Sequence, residues 1–347
     1  MLTYAIVVAT RNRLEALQAS VPLFLGQTRP PARLVVVDRS DDHAAVAAWL
    51  AEMALTSPIP VEVIHADLAN LPHQRNLGIA RVTEAVTMLP DDDSLWFPDT
   101  AERIMAVYER DATGLIGGVT GIQTMISPLE KSKAPPSDQP LMSRPAIARW
   151  RNRIEAHFVP QPFNLYAHDR IAALLPAAGA QGLGDLRFVE TIGGWRMSFR
   201  TGVLRDSGFD ATLGSRVGYA QHEDKDMALQ VQRAGHLLAA APGARVMHNM
   251  HPGKRAGGFA YGFFWIFNYL YICRKLFGDA PPGRRPVWRY LRYKVFLYGL
   301  RRGNTHDRDI ARGGAAALAE FDRMWQAPDN RLAETYGEIA DRVLKAG

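Results

Sequence analysis

The sequence predicts an α/β fold, with a mainly parallel sheet covered by helices on both faces. Strand and helix patterns alternate along the first 110 residues, as expected for repeated strand–helix–strand units. The strand patterns are continuous apolar runs, such as VVV at residues 35–37, and such runs are typical of strands buried on both faces. Polar residues follow these runs directly, at the edge where sheets of this kind bind ligands.

The N-terminal elements follow from these patterns in order. Strands are predicted at residues 4–9, 33–38, 61–66 and 85–89. Helices are predicted between and after them, at residues 14–25, 42–55, 73–82 and 99–110. The helix at residues 14–25 is predicted from apolar residues at helical spacing. Pro98 suits the first turn of the helix at residues 99–110.

The middle of the chain is less regular. A polar, Pro-rich loop is predicted from Ser127 to Asp138, followed by a helix from Ile147 to Phe158 and a Gly-rich stretch at residues 181–185. A helix from Asp226 to Ala234 should end at Gly235, because glycine commonly terminates helices. Residues 244–251 are predicted as one more strand.

The C-terminal region combines aromatic and basic residues. Residues 256–273 are uncharged and rich in aromatic side chains, a length that approaches a membrane span. The following Arg274 and Lys275 favour an interfacial helix, while a buried core helix stays open as the alternative. Residues 286–302 interleave aromatic and basic side chains, and residues 311–345 have an amphipathic helical pattern.

Charge distribution bears on the partners of this region. Between Lys254 and Arg302 a single acid, Asp279, stands among many Lys and Arg residues, although the net charge of the whole chain is only +6. Such a segment suits an anionic membrane surface or nucleic acid. Because no nucleic-acid-binding motif accompanies it, we expect no nucleic acid partner.

Composition excludes several protein classes. With 47% hydrophobic and 22% charged residues, the chain is neither collagen-like nor mostly disordered. Its single cysteine, Cys273, allows no internal disulfide, so a reducing compartment is expected. The N-terminal apolar run lacks a preceding basic segment and is interpreted as a strand rather than a signal peptide.

Three adjacent aspartates, Asp91 to Asp93, follow the fourth strand. Side chains alternate in direction along an extended chain, so Asp91 and Asp93 can face one site while Asp92 turns aside. Carboxylates are the ligands that Mg²⁺ and Mn²⁺ prefer, and these ions commonly bridge to phosphate oxygens. An Asp-rich turn that caps the next helix is the alternative.

Two further clusters carry chemistry. Glu223, Asp224 and Asp226 lie near the start of a helix, where acids complement the helix dipole and a carboxylate can also act as a general base. His248 and His251 lie at the end of a strand and are candidate metal ligands.

The order of these motifs resembles glycosyltransferase family 2, a group of inverting sugar transferases with the GT-A fold. The resemblance covers roughly residues 4–251. The matching stretches are VVATRNR at 7–13, LVVVDRSDD at 34–42, HQRNLGIA at 73–80, MLPDDDSLWFPD at 88–99, IGGWRMSFRTGVLRDSGFDATLG at 192–214, HEDKDMALQVQRAG at 222–235 and ARVMHNMH at 244–251. The resemblance implies a GT-A domain at residues 1–252 and a helical acceptor- or membrane-docking region at residues 253–347.

The resemblance also implies a nucleotide site. Thr10, Arg11 and Asp38 would form the pocket for the base, with Asp41 as the second acid of that turn. Arg75 would help to hold the nucleotide.

The donor and metal residues follow from the acidic motif. Asp93 would bind a divalent cation, Mn²⁺ or Mg²⁺, that bridges the diphosphate, and His248 would complete the metal site. Asp91 would contact the ribose, or the metal through water, and Asp92 belongs to the donor group without being needed for the metal. Gly193, Gly194 and Trp195 would line the sugar cleft.

For catalysis, the resemblance implies that Asp224 removes the proton of the acceptor hydroxyl, with Glu223 beside it. The donor would be a nucleotide-diphosphate sugar, with a UDP-sugar favoured, and the acceptor a glycan or a lipid-linked molecule. We expect a cytoplasmic protein that is peripheral at the inner face of the membrane. Its expected role is in the assembly of cell-surface polysaccharide or glycolipid.

The sequence departs from the family at four points. Pro90 stands where an apolar residue is usual, and Trp195 where a small or polar residue is commoner. Residues 124–187 form a long insertion. No Gln–x–x–Arg–Trp motif follows the ED segment, so we expect transfer of a single sugar.

Other classes fit less well. A hydrolase with an Asp–x–Asp nucleophile pair expects Thr or Val where Leu95 stands. A nucleotidyltransferase expects a Gly-rich loop after the first strand, and none is present. A non-catalytic nucleotide-sugar- or glycan-binding module of the same fold is the remaining alternative, and the presence of Asp91, Asp93 and Asp224 counts against it.

Overall fold

The structure, a computed structural model, describes residues 1–129, 159–214, 220–249, 257–300 and 304–346. His251, the predicted helix from Ile147 to Phe158 and most of the predicted loop from Ser127 to Asp138 lie outside these residues. The chain divides into two compact units. The first comprises residues 1–142, 170–209 and 230–253, and the second comprises residues 143–169, 210–229 and 254–347. The domain boundary at residue 252 stays a prediction.

A single mixed sheet organises the first unit. Its strands are β1 (Tyr4–Thr10), β2 (Arg33–Asp38), β3 (Val61–His65), β4 (Val86–Leu89), β5 (Ser94–Trp96), β6 (Ile116–Thr124), β7 (Arg187–Phe188), β8 (Met197–Arg200) and β9 (Leu237–His248). The strand order is β3-β2-β1-β4-β8-β6-β9-β5, with β7 also paired to β9. Neighbours from β3 to β4 are parallel, as are β6 and β9, whereas β8 and β5 run antiparallel to their partners.

Helices flank this sheet, as the α/β prediction required. They are α1 (Leu14–Leu25), α2 (His43–Thr56), α3 (Leu71–Ile79), α4 (Thr100–Arg110) and α6 (Thr201–Ser207). Two more helices, α5 (Pro162–Ala180) and α7 (Glu223–Arg233), each contribute residues to both units. The apolar runs of β1, β2 and β4 are almost fully buried and form the centre of the core, as expected for strands covered on both faces.

Several strands, including β6 and β9, were not fully predicted from the sequence. The strand β6 contains Gly117, Gly118 and Gly121, which weaken any strand pattern. A Cβ on Gly118 would lie 2.8 Å from the Phe199 ring, so the glycine is needed for close packing with β8. The strand β9 begins at Leu237, earlier than predicted, because its first residues are mostly alanines.

The second unit is mainly helical. Its C-terminal helices are α8 (Gly258–Phe277), α9 (Arg284–Gly299), α10 (Thr305–Ala319), α11 (Phe321–Trp325) and α12 (Leu332–Ala346). Of the two interpretations of residues 256–273, the core helix agrees with the structure, because the aromatic side chains of α8 lie at the centre of this unit. None of the helices in the described ranges is long and apolar enough to cross a membrane.

Glycines allow α8 and α10 to pack backbone against backbone. A Cβ on Gly262 would lie 2.0 Å from the carbonyl oxygen of Ile310, and one on Gly313 would lie 1.9 Å from that of Phe259. No side chain fits at either position, so both glycines set the distance between the two helices.

We therefore expect Gly313→Ala to lower the free energy of unfolding by about 1–3 kcal/mol or more, because the added methyl overpacks the helix contact. Gly299→Ala is the matched control, because a Cβ at Gly299 meets nothing within 4 Å. Urea unfolding followed by circular dichroism measures both. Equal stability of the two variants would refute the close approach.

Candidate functional site

The end of β4 concentrates negative charge at one edge of the sheet. After Leu89 the chain turns through Pro90 and the three aspartates before β5 begins at Ser94. The neighbouring strand β1 ends beside this turn, and its last residue, Thr10, donates a hydrogen bond of 2.7 Å from Oγ1 to Asp92 Oδ2. The polar ends of β1 and β4 therefore meet at one place, as the strand-end prediction required.

The three carboxylates divide as the alternation of side chains predicts. Asp92 is buried and faces Thr10. Asp91 and Asp93 face a common point with His248, and their ligand atoms all lie within 4.8 Å of one another. A divalent cation with ligand distances of about 2.0–2.6 Å separates two donors by up to about 4–5 Å, so this set fits such an ion.

The pairing of β5 with β9 places the histidine. In the antiparallel register, His248 lies opposite Ser94, and Ser94 is the residue that directly follows Asp93. Its Nε2 atom lies 3.1 Å from Asp93 Oδ1. The backbone supports this arrangement, because the Asn249 N–H donates a 3.0 Å hydrogen bond to the Asp93 carbonyl oxygen.

Arg13 neutralises two of the acids. Its Nη1 atom lies 2.6 Å from Asp92 Oδ1, and its Nη2 atom lies 2.5 Å from Asp93 Oδ2. The guanidinium therefore bridges the residue that turns aside and the proposed metal ligand. Planar guanidinium groups suit this two-pronged contact with carboxylates.

The charges around the triplet separate the pKa values of its members. Burial raises the pKa of Asp92 to about 7, despite the nearby Arg13 charge and the Thr10 hydrogen bond. Burial also raises the pKa of Asp93, but the hydrogen bonds and charges of His248 and Arg13 outweigh it and lower the value to about 2. Asp93 is thus held as an anion, which is the form that a cation requires.

Asp91 has its own cationic partner. Arg75, from α3, places Nη2 at 2.9 Å from Asp91 Oδ1. The Arg75 side chain is only 2% exposed, and its guanidinium lies over the Phe209 ring. Asp91 remains 31% exposed, so its carboxylate is accessible from solvent.

The predicted sugar-cleft residues lie next to the histidine. The Trp195 ring stacks on the His248 imidazole, with centroids 5.1 Å apart and planes 7° from parallel. Ser94 Oγ donates a 2.7 Å hydrogen bond to the Trp195 carbonyl oxygen. Gly193 and Gly194 lie at the start of the short turn that carries Trp195 into β8. The unusual tryptophan thus orients a proposed metal ligand.

The end of β2 forms a second polar group. Asp38 is fully buried and accepts hydrogen bonds from the backbone N–H and Oγ of Ser40, while its other oxygen lies 2.7 Å from His43 Nδ1. Asp41 accepts a hydrogen bond from the Asn12 amide. Arg11 is exposed.

A cleft opens between the segment that follows β1 and the segment that follows β2. Its volume is about 420 Å³, within the range of small-molecule sites. It is lined by Asn12, Arg13, Leu14, Glu15, Ser40, Asp42, Ala45 and Val46. The same Arg13 that pairs with the acidic triplet therefore lines the cleft.

The acidic helix start belongs to the second unit. The helix α7 begins at Glu223, earlier than predicted, so Glu223, Asp224 and Asp226 all lie in its first turn. Asp226 is 1% exposed and pairs with Lys275 at 2.6 Å, which gives it a structural role. Asp224 is only partly buried.

Two residues of the first unit, Arg13 and His43, were not predicted to be functional from the sequence. Arg13 was overlooked in favour of Arg11, although three adjacent acids require a nearby cation and two arginines follow β1. His43 was also missed, and its ring stacks on that of His65 at 4.2 Å. No local pattern pairs these histidines, because they meet only when β2 and β3 associate.

The sheet order and its flanking helices define a GT-A-like fold, and solved structures agree. Residues 1–349 of S. aureus TarS in complex with UDP-GlcNAc match with a TM-score of 0.56 and 10% identity, over 99% of this chain and 92% of that one. The mannosyltransferase PcManGT from Pyrobaculum calidifontis, in complex with GDP-Man and Mn²⁺, matches with a TM-score of 0.51 and 16% identity, over 99% and 87%. At these identities the likeness shows the fold alone.

A comparison of the sequence with family profiles matches the N-terminal part of the chain. The profile described as "Glycosyl transferase family 2" matches residues 5–169, so this part of the chain matches a domain of that family, in agreement with the motif order. No curated protein matches the chain by sequence.

Asp93→Asn is expected to weaken Mn²⁺ binding by more than about 100-fold, because it removes an anionic ligand of the cluster. Asp206→Asn is the control, because Asp206 is an exposed acid of the same unit. Isothermal titration calorimetry with Mn²⁺ alone measures both. An unchanged Kd for Asp93→Asn would exclude this cluster as the ion site.

Arg13→Met should have the opposite effect on the ion, tightening Mn²⁺ binding by about tenfold, because a positive charge and a competitor for Asp93 both disappear. The control is Arg233→Met, which removes an exposed arginine elsewhere in the unit. The same titration applies. Weaker Mn²⁺ binding by a folded Arg13→Met variant would show that Arg13 supports the ion rather than competing with it.

Proposed function

We propose that this chain is a metal-dependent, inverting glycosyltransferase that moves one sugar from a nucleotide-diphosphate sugar to an acceptor hydroxyl. The observation that carries the proposal is the cluster of Asp91, Asp93 and His248 at the strand edge of a family 2 domain. A carboxylate-rich set at this edge suits a cation that is shared with phosphate oxygens.

The proposed metal residues are Asp93 and His248, with Asp91 contributing directly or through water. When bound, Mn²⁺ or Mg²⁺ would offset the charge that develops on the leaving diphosphate. In its absence, Arg13 and His248 hold Asp93 as an anion and in place. The Trp195 ring stacks on the His248 imidazole and so fixes the plane of that ring.

The proposed nucleotide residues from the ends of β1 and β2 adjoin in sequence the residues that line the cleft. Thr10, Arg11, Asp38 and Asp41 are assigned to the base pocket, and Arg75 to the phosphate-bearing side. Asp38 would act mainly by positioning Ser40 and His43, because its own oxygens already accept their hydrogen bonds.

The remaining assignments concern the sugar and the acceptor. Gly193, Gly194 and Trp195 are assigned to the cleft that holds the donor sugar, and Asp92 to support of this group through Thr10 and Arg13. Asp224 is assigned as the general base, with Glu223 beside it. Direct attack by the deprotonated hydroxyl inverts the anomeric centre and needs no covalent intermediate.

A nucleotide-diphosphate sugar is supported as the donor class by the ligands of the structural relatives, UDP-GlcNAc for TarS and GDP-Man for PcManGT. We favour a UDP-sugar, and a glycan or lipid-linked acceptor in cell-surface polysaccharide or glycolipid assembly. We further place the protein in the cytoplasm, at the inner face of the membrane. The rival function is a non-catalytic module that binds a nucleotide-sugar without transferring it.

Asp224→Asn separates these two functions. Sugar transfer should fall by at least about 100-fold, because the general base is lost, while Mn²⁺ and nucleotide-sugar binding stay unchanged. Donors are first found by thermal shift with and without Mn²⁺, since a true donor stabilises the fold by mass action. Transfer is then measured as release of nucleoside diphosphate in the presence of acceptor.

The control Asp206→Asn changes an exposed acid that is not among the proposed site residues, and it should keep full activity. Equal activity of wild type and Asp224→Asn would contradict the assignment of the base. A wild-type chain that binds a donor but releases no diphosphate with any acceptor would favour the binding module.

A further inference from the structure

The helix α9 presents a basic and aromatic stripe to solvent. At about 100° per residue, positions 285, 288, 289, 292, 296, 299 and 300 fall within an arc of about 120°. Its side chains are Arg285, Trp288, Arg289, Arg292, Phe296 and Leu300, and all are exposed. Trp288 is 38% exposed, Phe296 59% and Leu300 56%.

The opposite face of α9 anchors the helix in the second unit. Val287, Tyr290, Leu291 and Tyr298 are buried there within the hydrophobic core of that unit. The fold of α9 therefore does not depend on burying the exposed stripe. The large apolar side chains of the stripe remain in water in the isolated chain.

The charge of the stripe is of one sign. The helix contains no Asp or Glu residue. Arg284, which lies outside the arc, pairs with Asp322, whereas the guanidinium of Arg292 lies over the Trp288 ring at 5.0 Å. Arginine beside tryptophan is the combination found where a helix meets the headgroup region of a bilayer.

We propose that this stripe docks the protein on an anionic membrane surface. The three arginines would meet lipid phosphates, and Trp288, Phe296 and Leu300 would enter the boundary between headgroups and acyl chains. Nucleic acid fits the arginines but leaves Phe296 and Leu300 without a partner. The inference does not depend on sugar transfer, since it rests on the surface of α9 alone.

Docking is thereby assigned to α9, a shorter segment than the sequence indicated. Docking was expected somewhere within residues 256–302, with residues 256–273 open as either an interfacial or a core helix, and the aromatic residues of α8, including Phe263, Phe267 and Tyr269, are buried in the core. They cannot reach lipid without unfolding the unit. The docking element is α9. One face of this helix packs in the core of the second unit, and the other face exposes the basic and aromatic stripe.

The test is co-sedimentation of the full chain with phosphatidylcholine vesicles, with and without phosphatidylglycerol, at low and high salt. Wild type should bind only the anionic vesicles and lose binding at high salt. The variant Arg285→Glu/Arg289→Glu/Arg292→Glu should lower partitioning by roughly a hundredfold or more, since each basic residue contributes about tenfold or less. Trp288→Ser/Phe296→Ser should lower it by about tenfold with the charge unchanged.

A charge-matched control is Arg187→Glu/Arg233→Glu/Arg308→Glu, which reverses exposed arginines elsewhere and changes the net charge equally. Circular dichroism checks that each variant is folded. Equal loss in this control would overturn the proposal, because net charge alone would then drive binding. Equal binding to neutral and anionic vesicles would also overturn the proposal. The same holds if an α9 variant still binds vesicles but no longer binds an oligonucleotide, or no longer self-associates in sedimentation.

Discussion

The contact between Arg13 and the acidic triplet is the interaction on which the site depends. Three adjacent carboxylates at the end of a buried strand repel one another, and the protein holds them together with fixed cations. Arg13 bridges Asp92 and Asp93, Arg75 meets Asp91, and His248 meets Asp93 from β9. Each acid therefore has a cationic neighbour. Asp93 has two, Arg13 and His248, and we propose that a metal ion bound by Asp93 and His248 replaces the Arg13 contact.

The fold explains why these groups meet. The parallel strands β1 and β4 bring Thr10 and the acids to one sheet edge, whereas the antiparallel pair β5 and β9 returns His248 to the residue after Asp93. Two antiparallel steps, from β4 to β8 and from β8 to β6, leave β9 parallel to β4, so the C-terminal end of β9 reaches the same edge. The mixed sheet thus joins early and late parts of the first unit in one cluster.

The sequence predicted the features that depend on local pattern. The apolar runs of β1 to β4 and the alternation of Asp91 and Asp93 required no knowledge of distant contacts. The strand β6 escaped prediction because its glycines, which allow close packing against Phe199, erase the strand pattern. Arg13 escaped because its role depends on contact with acids about 80 residues further along the chain. The aromatic helix α8 had two interpretations, since apolar length alone does not distinguish a protein core from a lipid interface.

The central claim is that a cation bound between Asp93 and His248 takes the place of the Arg13 contact. A crystal structure of the chain with Mn²⁺ and a nucleoside diphosphate, measured at the manganese absorption edge, tests this most directly. We expect an anomalous peak in contact with Asp93 and His248, with the Arg13 guanidinium moved away from Asp93. A peak elsewhere, or an Arg13–Asp93 contact that persists beside the ion, would contradict it.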